Sequence, residues 1–261
     1  MIRLEKVNKA FGTTARRRVL IDLDLEVAEG ETFVIMGPSG IGKSVTLKHI
    51  VGLLRPDSGS ITVDGQQVTT AHGSKLREIR SSIGYLFQGS ALLNWMSVGD
   101  NVALPIKEDR RRKLSRAEID RLVLEKLSLV NMASERDKMI GEISGGMRKR
   151  AALARVLASN PKIILYDEPT AGLDPRMAAT IADLINNVKN RFGVTSIVVT
   201  HDLSLASSVG DRVGMMHLGH LIEVGTPEGM KQSKNPIVRD FVEGRPILSV
   251  DEETKLGMIL P

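Results

Sequence analysis

Cysteine is absent from this chain of 261 residues, and aromatic residues and long apolar runs are scarce. Without cysteine, a disulfide scaffold and a cysteine metal site are both excluded. One Trp, two Tyr and five Phe argue against a nucleic-acid module that stacks bases, so no nucleic acid is expected as a partner. No run of about 18 apolar residues occurs, and no segment is therefore expected to span a membrane.

The rest of the composition is that of an ordinary globular protein. Hydrophobic residues make up 42% of the chain and charged residues 26%, which excludes disordered and fibrous classes. The net charge of +5 is compatible with phosphates, nucleic acid or anionic membranes, but over this length it selects none of them. The motifs must therefore indicate the function.

Strand-like and helix-like segments alternate along the chain, and this alternation predicts an α/β fold. Short apolar runs at 32–36, 163–166 and 195–200 have the length and composition of buried parallel strands. Strands of this kind need crossover connections, and helices are expected between them.

Three segments carry the periodicity or the end signals of helices. Apolar residues recur at helical spacing over 47–54, and Pro56 is predicted to end that helix. A capping box over 115–118 predicts the start of a second helix. A third is predicted to begin at Pro175 and to stop at Gly193.

A glycine-rich loop follows the first predicted strand and matches the pattern G-x-x-x-x-G-K-[ST]. Its glycines let backbone N–H groups converge on phosphates at a helix N-terminus. Lys43 is expected to meet the β- and γ-phosphates, and Ser44 to coordinate Mg²⁺. A turn that binds nothing is the less favoured alternative, because the loop lies between a strand and a helix as the motif requires. The residues expected to bind the nucleotide here are Gly37, Pro38, Ser39, Gly40, Ile41, Gly42, Lys43, Ser44 and Val45.

Two acids and one histidine stand where the later predicted strands end. Asp167 is expected to hold Mg²⁺, and Glu168 to polarise the attacking water. His201 is expected to form a hydrogen bond with the γ-phosphate or that water. It follows a predicted strand, and ligands of doubly wound sheets bind at the carboxyl ends of the strands. The alternative for the two acids is a polar strand end before a turn. The alternative for His201 is a surface histidine in a βα turn.

Ser144, Gly145 and Gly146 stand at the start of a predicted basic helix, between the glycine-rich loop and the acidic strand end. Alone this segment is a weak signal. The whole set of ordered motifs, which includes Gln88 and Asp174, resembles an ATP-binding-cassette (ABC) ATPase subunit.

The resemblance covers roughly residues 1–243 and implies a fold and its ligands. The implied fold is an α/β, P-loop NTPase (RecA-like) core with an antiparallel β flank. A helical subdomain is expected as an insertion at about 90–158, and a C-terminal extension over 244–261. The implied ligands are ATP and Mg²⁺, and the implied reaction is ATP hydrolysis coupled to transport.

The resemblance also implies that two copies pair head to tail around two ATP molecules. Ser144, Gly145 and Gly146 of one copy then face the phosphate loop of the other, where a helix N-terminus attracts phosphate. Asp174 resembles the residue that links the two sites across the interface.

Two further residues receive roles from the resemblance. Phe11 is similar to the aromatic that stacks on adenine, with a core Phe of an N-terminal strand as the alternative. Gln88 is similar to the residue that reaches Mg²⁺ or the attacking water while its loop contacts a membrane subunit. The implied catalytic residues are Glu168, His201, Lys43 and Gln88, and the implied metal ligands are Ser44, Gln88 and Asp167.

Residues 89–98 are unusually apolar for a loop region and include the only Trp. Docking against a partner and packing within the helical subdomain are both open interpretations of this stretch. The basic run over 110–113 is most simply interpreted as a solvated face.

Within the family, the segments 87–92, 101–105 and 144–150 look most like ATPases of Mla/Mce-type phospholipid transporters. This resemblance implies permease subunits, an Mce-domain protein, in some systems a STAS-domain regulator, and a peripheral location on the cytoplasmic face of the inner membrane. One alternative is the ATPase of another importer, for an anion or an amino acid. Another is a non-transporting ABC ATPase that regulates an envelope complex.

Overall fold

Two β-sheets form the frame of the molecule in the computed structural model, which describes residues 1–12, 16–109 and 113–245. The first is a four-stranded sheet in the order β2-β1-β4-β5, and all of its pairings are antiparallel. The second is six-stranded in the order β10-β9-β3-β8-β7-β6. The strands are β1 (Ile2–Phe11), β2 (Arg17–Val27), β3 (Thr32–Met36), β4 (Ser58–Val63), β5 (Gln66–Gln67), β6 (Ile83–Leu86), β7 (Ile163–Asp167), β8 (Thr195–Thr200), β9 (Arg212–His217) and β10 (His220–Gly225).

The second sheet is parallel except for its edge strand β10. The register pairs Met36 of β3 with Thr200 of β8, and Asp167 of β7 with Val199 of β8. The carboxyl ends of β3, β7 and β8 therefore meet at one edge. The three buried strands expected from the sequence are confirmed.

Successive side chains of these strands point to opposite faces of the sheet, and the core is therefore divided into two clusters. Val34, Ile164 and Val198 point into a cluster shared with the helices. Their neighbours Ile35 and Leu165 point into a second cluster, which the antiparallel sheet and the first helix cover. Because side chains alternate across a strand, the second sheet is apolar on both faces, as expected of parallel strands between two layers.

Two of the predicted helices begin or end where the sequence predicts. Ser115 forms the predicted capping box with Glu118. Asp174 caps the helix that starts at Pro175, and Gly193 ends it in the left-handed conformation. The α-helices are α1 (Lys43–Ile50), α2 (Gly73–Ser81), α3 (Val98–Glu108), α4 (Arg116–Leu129), α5 (Gly145–Ala158), α6 (Pro175–Phe192), α7 (Leu203–Val209), α8 (Pro227–Lys231) and α9 (Pro236–Val242).

The end predicted for the first helix is wrong. The helix α1 stops at Ile50, well before Pro56. Gly52, at φ +70°, donates its N–H to the carbonyl of His49 and turns the chain out of the helix. A glycine just past the last turn is a stronger stop signal than a proline four residues later.

The helices α3, α4 and α5 pack on one another in the segment where a helical subdomain is expected. Their shared core includes Val102, Val123, Leu127 and Leu153, which are almost fully buried. Among the described residues, no helix is long and apolar enough to cross a membrane. Residues 110–112 of the basic run and 246–261 of the C-terminal extension lie outside the described residues.

Replacing Leu127 by Ala should destabilise the helical packing, because this side chain is 0% exposed. The expected loss is about 2–5 kcal/mol of unfolding free energy, measured by urea denaturation. Leu124→Ala on the same helix is the matched control: Leu124 is 39% exposed, and a change of at most about 0.5 kcal/mol is expected. Equal losses for the two variants would contradict this packing.

Candidate functional site

The loop that links β3 to α1 lies at the carboxyl edge of the parallel sheet. Two of its glycines are required by the backbone and by close contacts. At Gly37 (φ +145°) a Cβ would lie 2.4 Å from the carbonyl oxygen of Met216. At Gly42 (φ +111°) it would lie 2.8 Å from that of Val19. Gly42 directly precedes the first residue of α1, so the loop delivers the chain to a helix N-terminus.

Lys43 is buried at the start of α1, and its side chain folds back along the loop. Its Nζ donates to the carbonyl oxygens of Gly37 at 2.7 Å and Pro38 at 2.9 Å, and lies 3.5 Å from Glu168 Oε1. Burial lowers the pKa of Lys43 below its usual value, while the charges of Glu168 and Asp167 raise it. The loop thus holds a largely desolvated ammonium beside a carboxylate.

Asp167, the last residue of β7, is buried and accepts hydrogen bonds through both carboxylate oxygens. The Ser44 hydroxyl donates to Oδ1 at 2.6 Å, and the Tyr85 hydroxyl donates to Oδ2 at 2.9 Å. Burial, together with the charge of Asp167, raises the pKa of Tyr85, so its hydroxyl remains a donor. Sequence reasoning missed Tyr85, because no motif marks it and its contact with Asp167 arises from the pairing of β6 with β7.

Glu168 is held between two cationic or proton-donating groups. Its Oε2 lies 2.9 Å from His201 Nδ1 and its Oε1 lies 3.5 Å from Lys43 Nζ. Glu168 has φ +46°, a conformation that costs free energy for a residue with a side chain and that clusters at functional sites. The Glu168 side chain is 10% exposed and that of His201 is 55% exposed, so the pair lies at the boundary between the core and the cleft.

A cleft of about 350 Å³ opens above this loop, within the range of small-molecule sites. Phe11 lies at its rim and is 41% exposed, so the alternative of a core Phe is wrong. Ile41 does not line the cleft, because its side chain packs into the core. Arg17 and Val19 also line the cleft, although no motif predicted them. The predicted residues that line the cleft are Phe11, Ser39, Gly40, Gly42, Lys43, Ser44, Val45, Gln88 and Glu168.

Gly37, Pro38, Asp167 and His201 do not line this cleft either, and four more predicted residues lie at the N-termini of the helices α5 and α6. Ser144 caps α5 by accepting from the N–H of Met147, and it is exposed together with Gly145. Gly146 is buried against α6, where a Cβ would lie 2.3 Å from Met177 Cε. Asp174 caps α6 and is exposed. One chain therefore does not bring these residues to its own phosphate loop.

The residues present fit a nucleotide with Mg²⁺. A Cβ at Gly40 would meet nothing within 4 Å, so the loop backbone is open toward the cleft. Ser44, Gln88 and Asp167 offer hydroxyl, amide and carboxylate oxygens, the hard donors that Mg²⁺ prefers. Among the described residues, no cluster of three or more His, Cys, Asp or Glu could hold a metal ion. A site with one carboxylate is typical of Mg²⁺ that is also bound by phosphates.

Known sequences similar to this chain include ATP-binding proteins of transport systems. A family model described as ABC transporter matches residues 20–171. The chain is 44% identical over 246 residues to the probable ribonucleotide transport ATP-binding protein Mkl of Mycobacterium leprae, covering 94% of this chain and 70% of that protein. It is 37% identical over 255 residues to the methionine import ATP-binding protein MetN of Escherichia coli O157:H7, covering 97% and 74% respectively.

Solved structures show the same fold. A dimeric ATP-binding cassette in a post-hydrolysis state, bound to ADP and Pi, matches with a TM-score of 0.82 and 32% identity over 87% of this chain and 99% of that one. CbiO1 of Clostridium perfringens, part of an ABC transporter complex, matches with a TM-score of 0.79 and 28% identity over 99% and 98%. The expected P-loop NTPase fold is confirmed. The chain therefore belongs to the ABC transporter family, as an ATP-binding and ATP-hydrolysing subunit that uses Mg²⁺.

Proposed function

We propose that this ATPase drives phospholipid transport between bacterial membranes as the ATP-binding subunit of an Mla/Mce-type transporter. The observation that carries the lipid assignment is the resemblance of segments 87–92, 101–105 and 144–150 to such ATPases. The first of these segments overlaps the apolar stretch 89–98, and the second follows it closely. The cargo assignment thus comes from the region that connects the nucleotide cleft to the helical part.

Within the cleft, each group has a distinct proposed role. The loop backbone and Lys43 bind the β- and γ-phosphates, and Phe11 stacks on adenine. Ser44 and Asp167, already in contact through one hydrogen bond, hold Mg²⁺ together with Gln88. Bound Mg²⁺ neutralises developing charge on the phosphates.

Hydrolysis needs a base that activates the attacking water, and Glu168 is proposed as that base. One of its oxygens faces Lys43 and the other faces His201, which keeps the carboxylate oriented at the cleft. His201 is proposed to form a hydrogen bond with the γ-phosphate or the water, and Gln88 to reach Mg²⁺ or that water. This arrangement resembles a general base held by a second group.

A second copy of the chain is proposed to complete each site. Ser144 and Gly145 are exposed at the N-terminus of α5, where backbone N–H groups and the helix dipole attract a phosphate. Because they lie outside the chain's own cleft, they are free to meet the nucleotide of the partner. Asp174 is proposed to link the two sites across this interface.

The stretch 89–98 supports a partner that lies in the membrane. Trp95 is 75% exposed, whereas Leu92 packs against the helical core. Part of the stretch thus anchors the loop and part of it presents an apolar surface, which suits docking to a permease. We place the ATPase at the cytoplasmic face of the inner membrane, with an Mce-domain protein and a STAS-domain regulator as further partners.

Import of a small solute is the second candidate, favoured by the names of two relatives. MetN is named for methionine import and Mkl for ribonucleotide transport. An importer requires a solute-binding protein in place of an Mce-domain protein. The two candidates share the ATPase cycle and differ in the partners.

Glu168→Gln should lower kcat by at least about a hundredfold and retain ATP binding, because only the base is removed. ATP turnover and nucleotide affinity of the purified chain measure the two effects. Glu125→Gln, half exposed on α4, is the control and should hydrolyse ATP normally. Normal turnover by Glu168→Gln would refute the assignment of the base.

Ser144→Asp should abolish hydrolysis in trans, because Asp retains the helix cap but repels a phosphate. Lys43→Ala should abolish it in cis by weakening ATP binding. Mixing the two inactive variants should restore roughly a quarter of wild-type ATPase activity, since half of the dimers are mixed and each has one intact site. Asn235→Asp adds the same charge at the cap of α9 and serves as the control. No recovery on mixing would count against the head-to-tail dimer.

Gentle purification of the assembly from native membranes should identify the cargo class. Co-purification of a permease with an Mce-domain protein, and stimulation of the ATPase by phospholipid, are the expected results. A periplasmic solute-binding protein in place of the Mce-domain protein would support the import candidate instead. Mass spectrometry of the purified complex measures the outcome.

A further inference from the structure

Lys149, in the second turn of α5, is a buried cation that the proposed catalytic steps leave unused. It is 6% exposed, and its Nζ donates to the backbone carbonyl of Gln88. The same Nζ lies 3.4 Å from the backbone carbonyl of Glu168. Burial lowers the pKa of Lys149 below its usual value, while the charges of Asp167 and Glu168 raise it. One ammonium therefore bridges the two chain segments that carry the proposed water-binding groups.

The two basic neighbours of Lys149 contact other parts of the chain. Arg148 donates to the carbonyl of Ile140, and Arg150 donates to the carbonyl of Asn131, so both hold the helical part. Only Lys149 of these three side chains extends to the cleft residues. Its placement is therefore specific to this position and is not a general property of a basic helix.

Lys149 binds two carbonyls in strained parts of the backbone. The carbonyl of Glu168 belongs to a residue with positive φ, and the carbonyl of Gln88 lies just before two such residues. Glu168 has φ +46°, and its carbonyl also accepts from the N–H of Ala171 at 3.2 Å. In the loop after Gln88, Ser90 and Ala91 have φ +64° and +51°. Such conformations persist only where surrounding contacts determine them.

Arg155, further along α5, fixes the rest of that loop. Its guanidinium donates to the carbonyls of Ser90 at 3.1 Å and Ala91 at 2.8 Å. The helix that begins beside Ser144 thus holds the Gln88 loop at three carbonyls and the Glu168 backbone at one. A shift of α5 cannot leave the Gln88 loop in place without breaking these contacts.

We infer that Lys149 is a positioning residue for ATP hydrolysis, which sets the distance between Gln88 and Glu168 by binding the backbone of both. This inference rests on the proposed roles of Gln88 and Glu168. Because α5 begins at the segment proposed to meet the partner's ATP, Lys149 also links that contact to the geometry of the chain's own water site. Its loss should therefore slow the chemical step and leave ATP binding intact.

The test compares three variants of the full chain, each with kcat, KM for ATP and a thermal unfolding midpoint. Lys149→Met keeps the length and removes the donors, and kcat is expected to fall at least about tenfold with KM within about twofold. Lys149→Arg keeps the donors and is expected to retain at least about a third of kcat. Lys126→Met is the matched control: Lys126 is also 6% exposed but lies on α4 and contacts Glu125, so its kcat should stay within about twofold.

The outcomes separate this inference from the proposed function. Loss of turnover in Glu168→Gln with normal turnover in Lys149→Met would overturn the role of Lys149 alone. Normal turnover in Glu168→Gln would overturn both. A raised KM with unchanged kcat in Lys149→Met, or equal damage in Lys149→Arg and Lys149→Met, would also overturn it. If Lys149→Met does not fold, Lys149→Arg decides: near-normal kcat supports the role, and a folded chain with kcat lowered tenfold refutes it.

Discussion

The carboxylate of Asp167 connects the parts on which the whole site depends. It stands at the end of β7 and accepts hydrogen bonds from Ser44 at the start of α1 and from Tyr85 on β6. This contact is possible only because β3, β8, β7 and β6 are neighbouring parallel strands whose carboxyl ends share one edge. A one-residue shift in the register of β7 would turn Asp167 into the opposite face of the sheet. The phosphate loop and the acid that accompanies it are thus joined by sheet geometry.

The groups proposed for hydrolysis lie at the same edge of the sheet. Glu168 follows Asp167 directly, and its positive φ turns the side chain from the strand toward Lys43 and His201. The residues proposed for Mg²⁺ binding and for hydrolysis are therefore adjacent but have different surroundings: Asp167 is held by hydroxyl groups, and Glu168 by a cation and an imidazole. The backbone of Glu168 is also in contact with α5 through Lys149, on which the proposed positioning role of the helical part rests.

Much of this site could be predicted from the sequence, because short motifs report local backbone requirements. The glycine spacing around Lys43 and the acids after an apolar run need no knowledge of distant contacts. Tyr85 and Lys149 could not be predicted in this way, since their roles arise from pairings across the fold. Lys149 in particular stands between two arginines and, from the sequence alone, is indistinguishable from a solvated position.

In the fold, too, features with local sequence signals were predictable, and features that depend on contacts between distant segments were not. The positions of β3, β7 and β8 and the helix that begins after Ser115 were predictable from apolar runs and end signals. The predicted end of α1 is wrong, because Gly52 turns the chain out of the helix four residues before Pro56. Phe11 was ambiguous in the sequence between a core and a rim position, and only the pairing of β1 with β2 turns it to the cleft.

We propose that each active site is composed of one chain's phosphate loop and the partner's α5 N-terminus. The decisive measurement is a structure of the Glu168→Gln chain with ATP and Mg²⁺. We expect a dimer in which each ATP contacts residues 37–45 of one copy and Ser144 of the other. Nucleotide bound away from residues 37–45, or a dimer in which Ser144 faces solvent, would contradict it.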